Sequence, residues 1–593
     1  MKHYLCNPVV GNYRYQFMKE PMSGRTSVNR EAADPTVIRF QGRFYLFASM
    51  TLSVWVSDDL VSWEEHRLPE ELPLYGYAPD ARVAGEYVYF TASDDTECAF
   101  YRTKDILQGP YEKVPMPFAY TDPNLFVDRD GRMYFYWGCS TEPIKGVELD
   151  PETMQPKGEP VELISSDAFH RGYERIGEDN TVFPLTEDEL EEAFQGFLRG
   201  KGMTAGDLPP GMENVVRGFL HQAPYIEGAW MDRFGDRFYL QYAFAGTQYN
   251  IYGDGVFVSD SPLGPFALAE NNPYSYNPGG FMPGAGHGST FSDESGNLWH
   301  AATMRISANH NFERRVGIWP AGLDTDGELF CNQRFGDWPI RVPLGKRDPW
   351  VKPDLMLLSH NKTVTASSEA EGHPATLACA EDARTFWEAQ EYDALPTLTV
   401  DLGESMDVSL VQINFMDDHW DIPSHKDAQR YIDPKERHTR WALYGAHDGY
   451  EYILLADKRN ATTDFAHDLV ELEEATQFRF LKLEIYEVPF GVPCISGLRV
   501  FGKRQGDCPA APSYMVARTG ELDMDVTIRP QEDATGWLIL WGSSADKLYH
   551  SRIVYNDDKE DNTIRIGALV SGRDYVVRVD SFNESGITEG TTC

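Results

Sequence analysis

Residues 32–49 read AADPTVIRFQGRFYLFAS. Aromatic and β-branched residues alternate with polar ones on either side of Gln41-Gly42, the pattern of a β-hairpin closed by a glycine turn. The pattern recurs four times within the first 340 residues. The later copies are ARVAGEYVYFTAS around Gly85, NLFVDRDGRMYFYWG around Gly131, AWMDRFGDRFYLQYAF around Gly235 and STFSDESGNLWHAATM around Gly296. Five hairpins at blade-sized intervals predict an all-β, five-bladed propeller rather than a β-sandwich, with about four strands per blade. SVWVSDDLVSWEEH and GVFVSDSPLGPF supply outer strands with similar turns. A longer interval separates the third and fourth hairpins. It holds TEDELEEAFQGFLRG, where a capping box from Thr186 to Glu189 precedes Leu190, Phe194, Phe197 and Leu198 at helical spacing. This predicts a helical insertion at about 160–220, which can wall a pocket, make a homo-oligomer contact or decorate the surface.

Polar residues precede the turns at similar distances. Asp34 lies eight residues before Gly42, Asp122 nine before Gly131, Glu227 eight before Gly235 and His287 nine before Gly296. In the second copy Asp80 lies five before Gly85. The strand entering each hairpin is expected to line the propeller axis, so these residues converge in space. Singly, Asp34-Pro35 and Asp122-Pro123 read as ordinary loop dipeptides. Together with Glu227 they supply what acetal hydrolysis needs: an acid for the leaving oxygen, a base for water and a third carboxylate to separate their pKa values.

Composition narrows the function classes. A net charge of -39, from 92 acidic and 53 basic residues, repels phosphate backbones and anionic membranes, so neither nucleic acid nor membrane is an expected partner. The eight cysteines form no C-x-x-C pair, which removes support for a structural zinc site and reads as free thiols. MKHYLCNPVVGNYRYQFMKE has no apolar signal core, so a cytoplasmic location is expected unless a signal has been removed.

AADPTVIRFQGRFYLFAS, YAPDARVAGEYVYFTAS, YTDPNLFVDRDGRMYFYWG, YIEGAWMDRFGDRFYL and GHGSTFSDESGNLWH together resemble glycoside hydrolase family 43, whose fold is a five-bladed propeller. The resemblance implies that Asp34 is the general base, Glu227 the general acid and Asp122 the residue that tunes and orients that acid. It also implies inversion at the anomeric carbon, with the working carboxylates roughly 6.5–9.5 Å apart. His287 matches the family's axial histidine, which approaches a calcium ion; a hydrogen-bonded pocket histidine is the other reading. Arg305 resembles an arginine that binds sugar hydroxyls, with a buried ion pair as its alternative. Tyr77 stands where relatives often carry Trp, in position to stack on a sugar.

A boundary falls near residue 350. The segment 351–505 has strand-like runs ending in ISGLRVFG, and it resembles the discoidin-like domains of coagulation factors V and VIII, a jelly-roll β-sandwich. Such domains often bind glycans, but a buttress is the preferred reading here. The final stretch, 510–593, resembles a fibronectin type III module. DDHWDIPSHKDAQRYIDPKERH (417–438) has no compact ligand spacing and reads as a polar loop. The expected function is an inverting exo-glycosidase acting on plant-derived oligosaccharides, an α-L-arabinofuranosidase or β-xylosidase. A galactosidase, an endo-arabinanase and a non-catalytic glycan-binding protein are the rivals.

Overall fold

The computed structural model describes residues 3–19, 26–93, 98–419, 430–557 and 562–593. Each expected hairpin is present. Gly42, Gly85, Gly131, Gly235 and Gly296 all take φ between +61 and +85°, the region that favours glycine. Four four-stranded antiparallel sheets follow in chain order. Their inner strands are Thr36–Phe40, Asp80–Ala84, Asn124–Val127 and Ile226–Phe234. The fifth blade runs from Gly286–Ser292 through Leu298–Arg305 and Arg314–Leu323 to Leu329–Cys331. Its inner strand lies beside that of the first blade: Ser289 Oγ donates to the Pro35 carbonyl at 2.8 Å and accepts from Val37 N at 3.0 Å. The ring is thereby closed, and the blades pack through aromatic layers such as Phe100, Tyr120 and Phe135 between the second and third.

Two features lay beyond the sequence reading. The N-terminal strands Arg14–Lys19 and Thr26–Glu31 extend the fifth blade's sheet through a parallel bridge between Glu31 and Arg314. Arg430–Ile432, from the second half of the chain, then pairs with Arg14–Lys19. This strand lies inside the stretch read as a polar loop, whose residues 420–429 are outside the described residues.

The insertion forms α1 (Glu187–Lys201) and α2 (Met212–His221). The capping box of α1 is present, and Leu190, Phe194 and Leu198 are buried. Residues 355–503 form one eight-stranded sheet whose long strands, Thr397–Met416 and His467–Glu487, break register between Asp401 and Met406. The sheet encloses Trp387, Trp441 and Phe478. Residues 514–588 form a three-stranded and a four-stranded sheet that share a core around Val526, Trp537, Trp541 and Val579. That core is continuous with the propeller's own through Tyr276, whose ring meets Trp541 edge-on at 6.2 Å. All eight cysteines are free, and no helix among the described residues is long and apolar enough to cross a membrane.

Candidate active site

The inner strands enter the blades by one repeated backbone step. Asp34, Ala78, Asp122, Gly228 and His287 have φ of +49, +49, +50, +60 and +52°. Two residues later the ladder opens at Thr36, Asp80 and Asn124, and resumes after a bulge at Trp230 and Ser289. The left-handed step turns the chain sharply at the axis and aims its side chain into the funnel. It costs a non-glycine residue about 1–2 kcal/mol, the kind of strain that collects at functional sites.

This register corrects two sequence-based equivalences. In the second blade the axial position is Ala78, which has nothing to ionise. Asp80 sits two residues further on, where its carboxylate accepts from Asn124 Nδ2 at 3.0 Å and Leu125 N at 2.7 Å and ties blade two to blade three. In the fourth blade the axial step falls on Gly228, not Glu227. Glu227 precedes the step and reaches the same funnel because a bulge separates its pairing from that of Trp230. Gly228 is needed twice over: it takes positive φ, and a Cβ there would come within 2.7 Å of the His287 ring.

The three carboxylates gather around one imidazole. His287 Nδ1 is 3.6 Å from Asp34 Oδ1, 3.7 Å from Asp122 Oδ2 and 3.8 Å from Glu227 Oε1. Burial disfavours a charged imidazole, but Asp34, Asp122 and Glu227 outweigh it and push His287 up to about 10. Asp254 fixes the histidine's backbone, accepting from His287 N at 2.7 Å and Gly288 N at 3.0 Å.

The carboxylates are held differently. Burial would raise Asp34, but the Arg314 guanidinium 3.1 Å away, His287 and a 2.6 Å bond from Ser49 Oγ hold it below the usual carboxylate range. Asp122 is pushed up to about 7 by burial, which His287 opposes while the charges of Glu227 and Asp34 add to it. Glu227 accepts hydrogen bonds from Tyr252 Oη and, at 3.5 Å, from the Cys139 thiol, which also contacts Tyr225 Oη at 2.9 Å. One ionised carboxylate and a second group that holds a proton near neutrality are the electrostatic ingredients of acid–base catalysis.

Arg305 and Tyr77 lie further out. Arg305 Nη1 bonds the half-exposed Glu178 of the insertion at 2.9 Å and Asn250 Oδ1 at 2.6 Å. Tyr77 stands 5.8 Å from the Phe312 ring, and both rings lie over Arg314.

Sequence reading missed Arg314, Phe312, Tyr225, Tyr252 and Cys139, because no repeat position marks them. It also missed a hydroxyl device that was visible. Thr303, Ser49 and Ser93 each accept from the axial N–H of the next blade, at Asp34, Ala78 and Asp122. Two of the three end the copies FAS and TAS.

Residues 26–178 and 207–329 match the profile of glycosyl hydrolases family 43. The propeller is a family 43 glycosyl hydrolase domain. The activity class of this family 43 domain is glycosidase, and an oligosaccharide is its substrate class. The chain is 25% identical over 276 residues to a xylosidase/arabinosidase of Bacteroides ovatus, covering 40% of this chain and 75% of the relative. It is 26% identical over 278 residues to xylosidase/arabinosidase 43A of Humicola insolens, covering 40% and 79%. A solved glycoside hydrolase superposes with a TM-score of 0.43 at 18% identity, over 79% of this chain and 97% of that one.

Proposed function

We propose that the family 43 domain is an inverting exo-glycosidase that releases single sugars from plant-derived oligosaccharides, with arabinofuranosides and xylosides as substrates. The observation that carries this reading is the asymmetry of the carboxylates around His287: Arg314 holds Asp34 below the usual carboxylate range, while burial pushes Asp122 up to about 7. In this mechanism Glu227 gives its proton to the glycosidic oxygen as the bond to the anomeric carbon breaks. Asp34 takes a proton from a water that attacks the opposite face, and the product has inverted configuration. Asp122 orients this acid in the mechanism. The xylosidase/arabinosidase names of both relatives support the sugar class.

Calcium does not suit the donors at the axis. His287, Asp122 and Glu227 offer one ligand atom each within 4.8 Å. One of the three is nitrogen and two are working carboxylates, whereas calcium takes six to eight oxygens. No step is routed through a metal.

Residues 351–505 and 510–593, resembling discoidin-like and fibronectin type III modules, act in this reading as braces. Buried or half-buried pairs support it: Arg30 with Asp417 at 2.7 Å for the former and Arg175 with Asp523 at 2.7 Å for the latter. The test is hydrolysis of aryl arabinofuranosides, xylosides and galactosides, with the first-formed anomer read by NMR. Turnover that survives Glu227→Gln and Asp34→Asn unchanged, or a retained anomer, would overturn the assignment.

A further inference from the structure

His373, Glu388 and Asp418 come from three separate stretches of the second region. His373 precedes Pro374, Glu388 ends the short strand Trp387–Glu388, and Asp418 follows the long strand Thr397–Met416. One ligand atom of each lies within 4.8 Å of the other two. Glu388 is buried and its two neighbours half-buried. His373 is also oriented. Its ring stacks on Phe386 with centroids 4.3 Å apart, and Nδ1 lies 3.1 Å from the Phe386 carbonyl oxygen. A carbonyl only accepts, so Nδ1 carries a proton, and Nε2 is the nitrogen left to give an electron pair to a metal. A backbone carbonyl on the far nitrogen is how metal-binding imidazoles are commonly held. Glu388 is oriented as well, since its Oε1 lies 2.9 Å from His419 Nε2.

We propose that His373, Glu388 and Asp418 form a binding site for a divalent transition cation of the zinc type. One imidazole and two carboxylates are a mixed nitrogen and oxygen set that suits zinc or cobalt and suits calcium poorly. The position gives the ion a structural role. Asp417, next in the chain, receives Arg30 Nε of the propeller at 2.7 Å and Tyr15 Oη at 2.6 Å, and its carbonyl accepts from Asn309 at 3.0 Å. The ion therefore pins the ledge of the second region to the propeller rim, beside Phe312 and Arg314.

The full chain, stripped with a chelator, is titrated with Zn²⁺ by calorimetry and with Co²⁺ by visible absorption. The expected result is one tight site with the strong bands of four-coordinate cobalt and a raised Tm. The His373→Gln, Asp418→Asn double variant should bind more weakly by more than the roughly 10–100-fold that loss of an orienting partner costs. Glu227→Gln, which alters the axial cluster, should bind as tightly as the parent. Asp418→Asn alone serves if the double variant fails to fold. Absence of a tight site in the parent, equal affinity in the folded ligand variants, or loss of binding with Glu227→Gln would overturn the proposal. None of these outcomes depends on the sugar specificity of the propeller.

Discussion

Two of the chain's buried charge clusters are built on opposite plans. At the axis, three carboxylates face one imidazole at 3.6–3.8 Å, and Arg314 reaches only Asp34 and, on its other side, Glu31. At the joint between propeller and second region, Arg30 sits between Asp417 and Asp464 at 2.7 and 2.9 Å, with Tyr15 completing the set. The joint is matched at hydrogen-bond distance, so its charges are fixed. The axis is over-supplied with acid at longer range, so one proton is loosely owned. Burial is common to both; the reach of the partners separates a brace from a reaction centre.

The sharpest way to break this comparison is to alter one charge in each cluster. Glu227→Gln should lower kcat/KM on aryl glycosides by about 10²–10⁴-fold, least for good leaving groups, with no loss of fold by circular dichroism. Arg30→Ala should do the reverse. It leaves Asp417 and Asp464 buried without their cation and should cost about 3–5 kcal/mol in urea unfolding, with turnover per folded molecule retained. Similar activity losses in the two variants would erase the distinction.

Gly228→Ala should displace His287 and reduce kcat by about 10²-fold, because the added Cβ meets the ring at 2.7 Å and the φ of +60° is unfavourable. Rapid kinetics and a crystal structure of the variant check this.

pH sharpens the comparison further. Activity should decline as pH rises through about 7, when the Asp122 side loses its proton. Asp122→Asn removes the titrating group, so this limb of the kcat/KM profile should be lost. His287 is raised in the fold from 6.5 to about 10. The stability it contributes is fully present below 6.5 and lost as pH rises towards 10. His287→Gln should flatten that part of the Tm profile, while Arg30→Ala should leave its shape alone.

The smallest effect is expected at the rim. Phe312→Ala removes a ring from over Arg314 and should raise KM a few-fold, about 0.5–1 kcal/mol, with little change in kcat.

Much of this molecule was legible from alternation and turns. The hairpin glycines, the capped helix at Thr186 and the approach of Asp34, Asp122 and His287 to the axis follow from local rules that act over a few residues. Glu227 was found for a reason that proved only partly right: counting back from Gly235 could not see the bulge that moves the axial step to Gly228. Asp80 was matched to the wrong place for the same cause, since hairpin lengths differ and only ladder pairing sets equivalence. Asp418 was dismissed with its loop because its partners His373 and Glu388 are distant in sequence.

The sequence by itself determined the repeat, the propeller and three acids at its centre, because strand period and turn stereochemistry are local. Tertiary structure alone decided which acid stays ionised, which holds a proton and where the second half of the chain docks. Those outcomes depend on the distances of Arg314, His287 and Arg30 from carboxylates hundreds of residues away, and Coulomb energy in a buried site varies with each ångström of that separation.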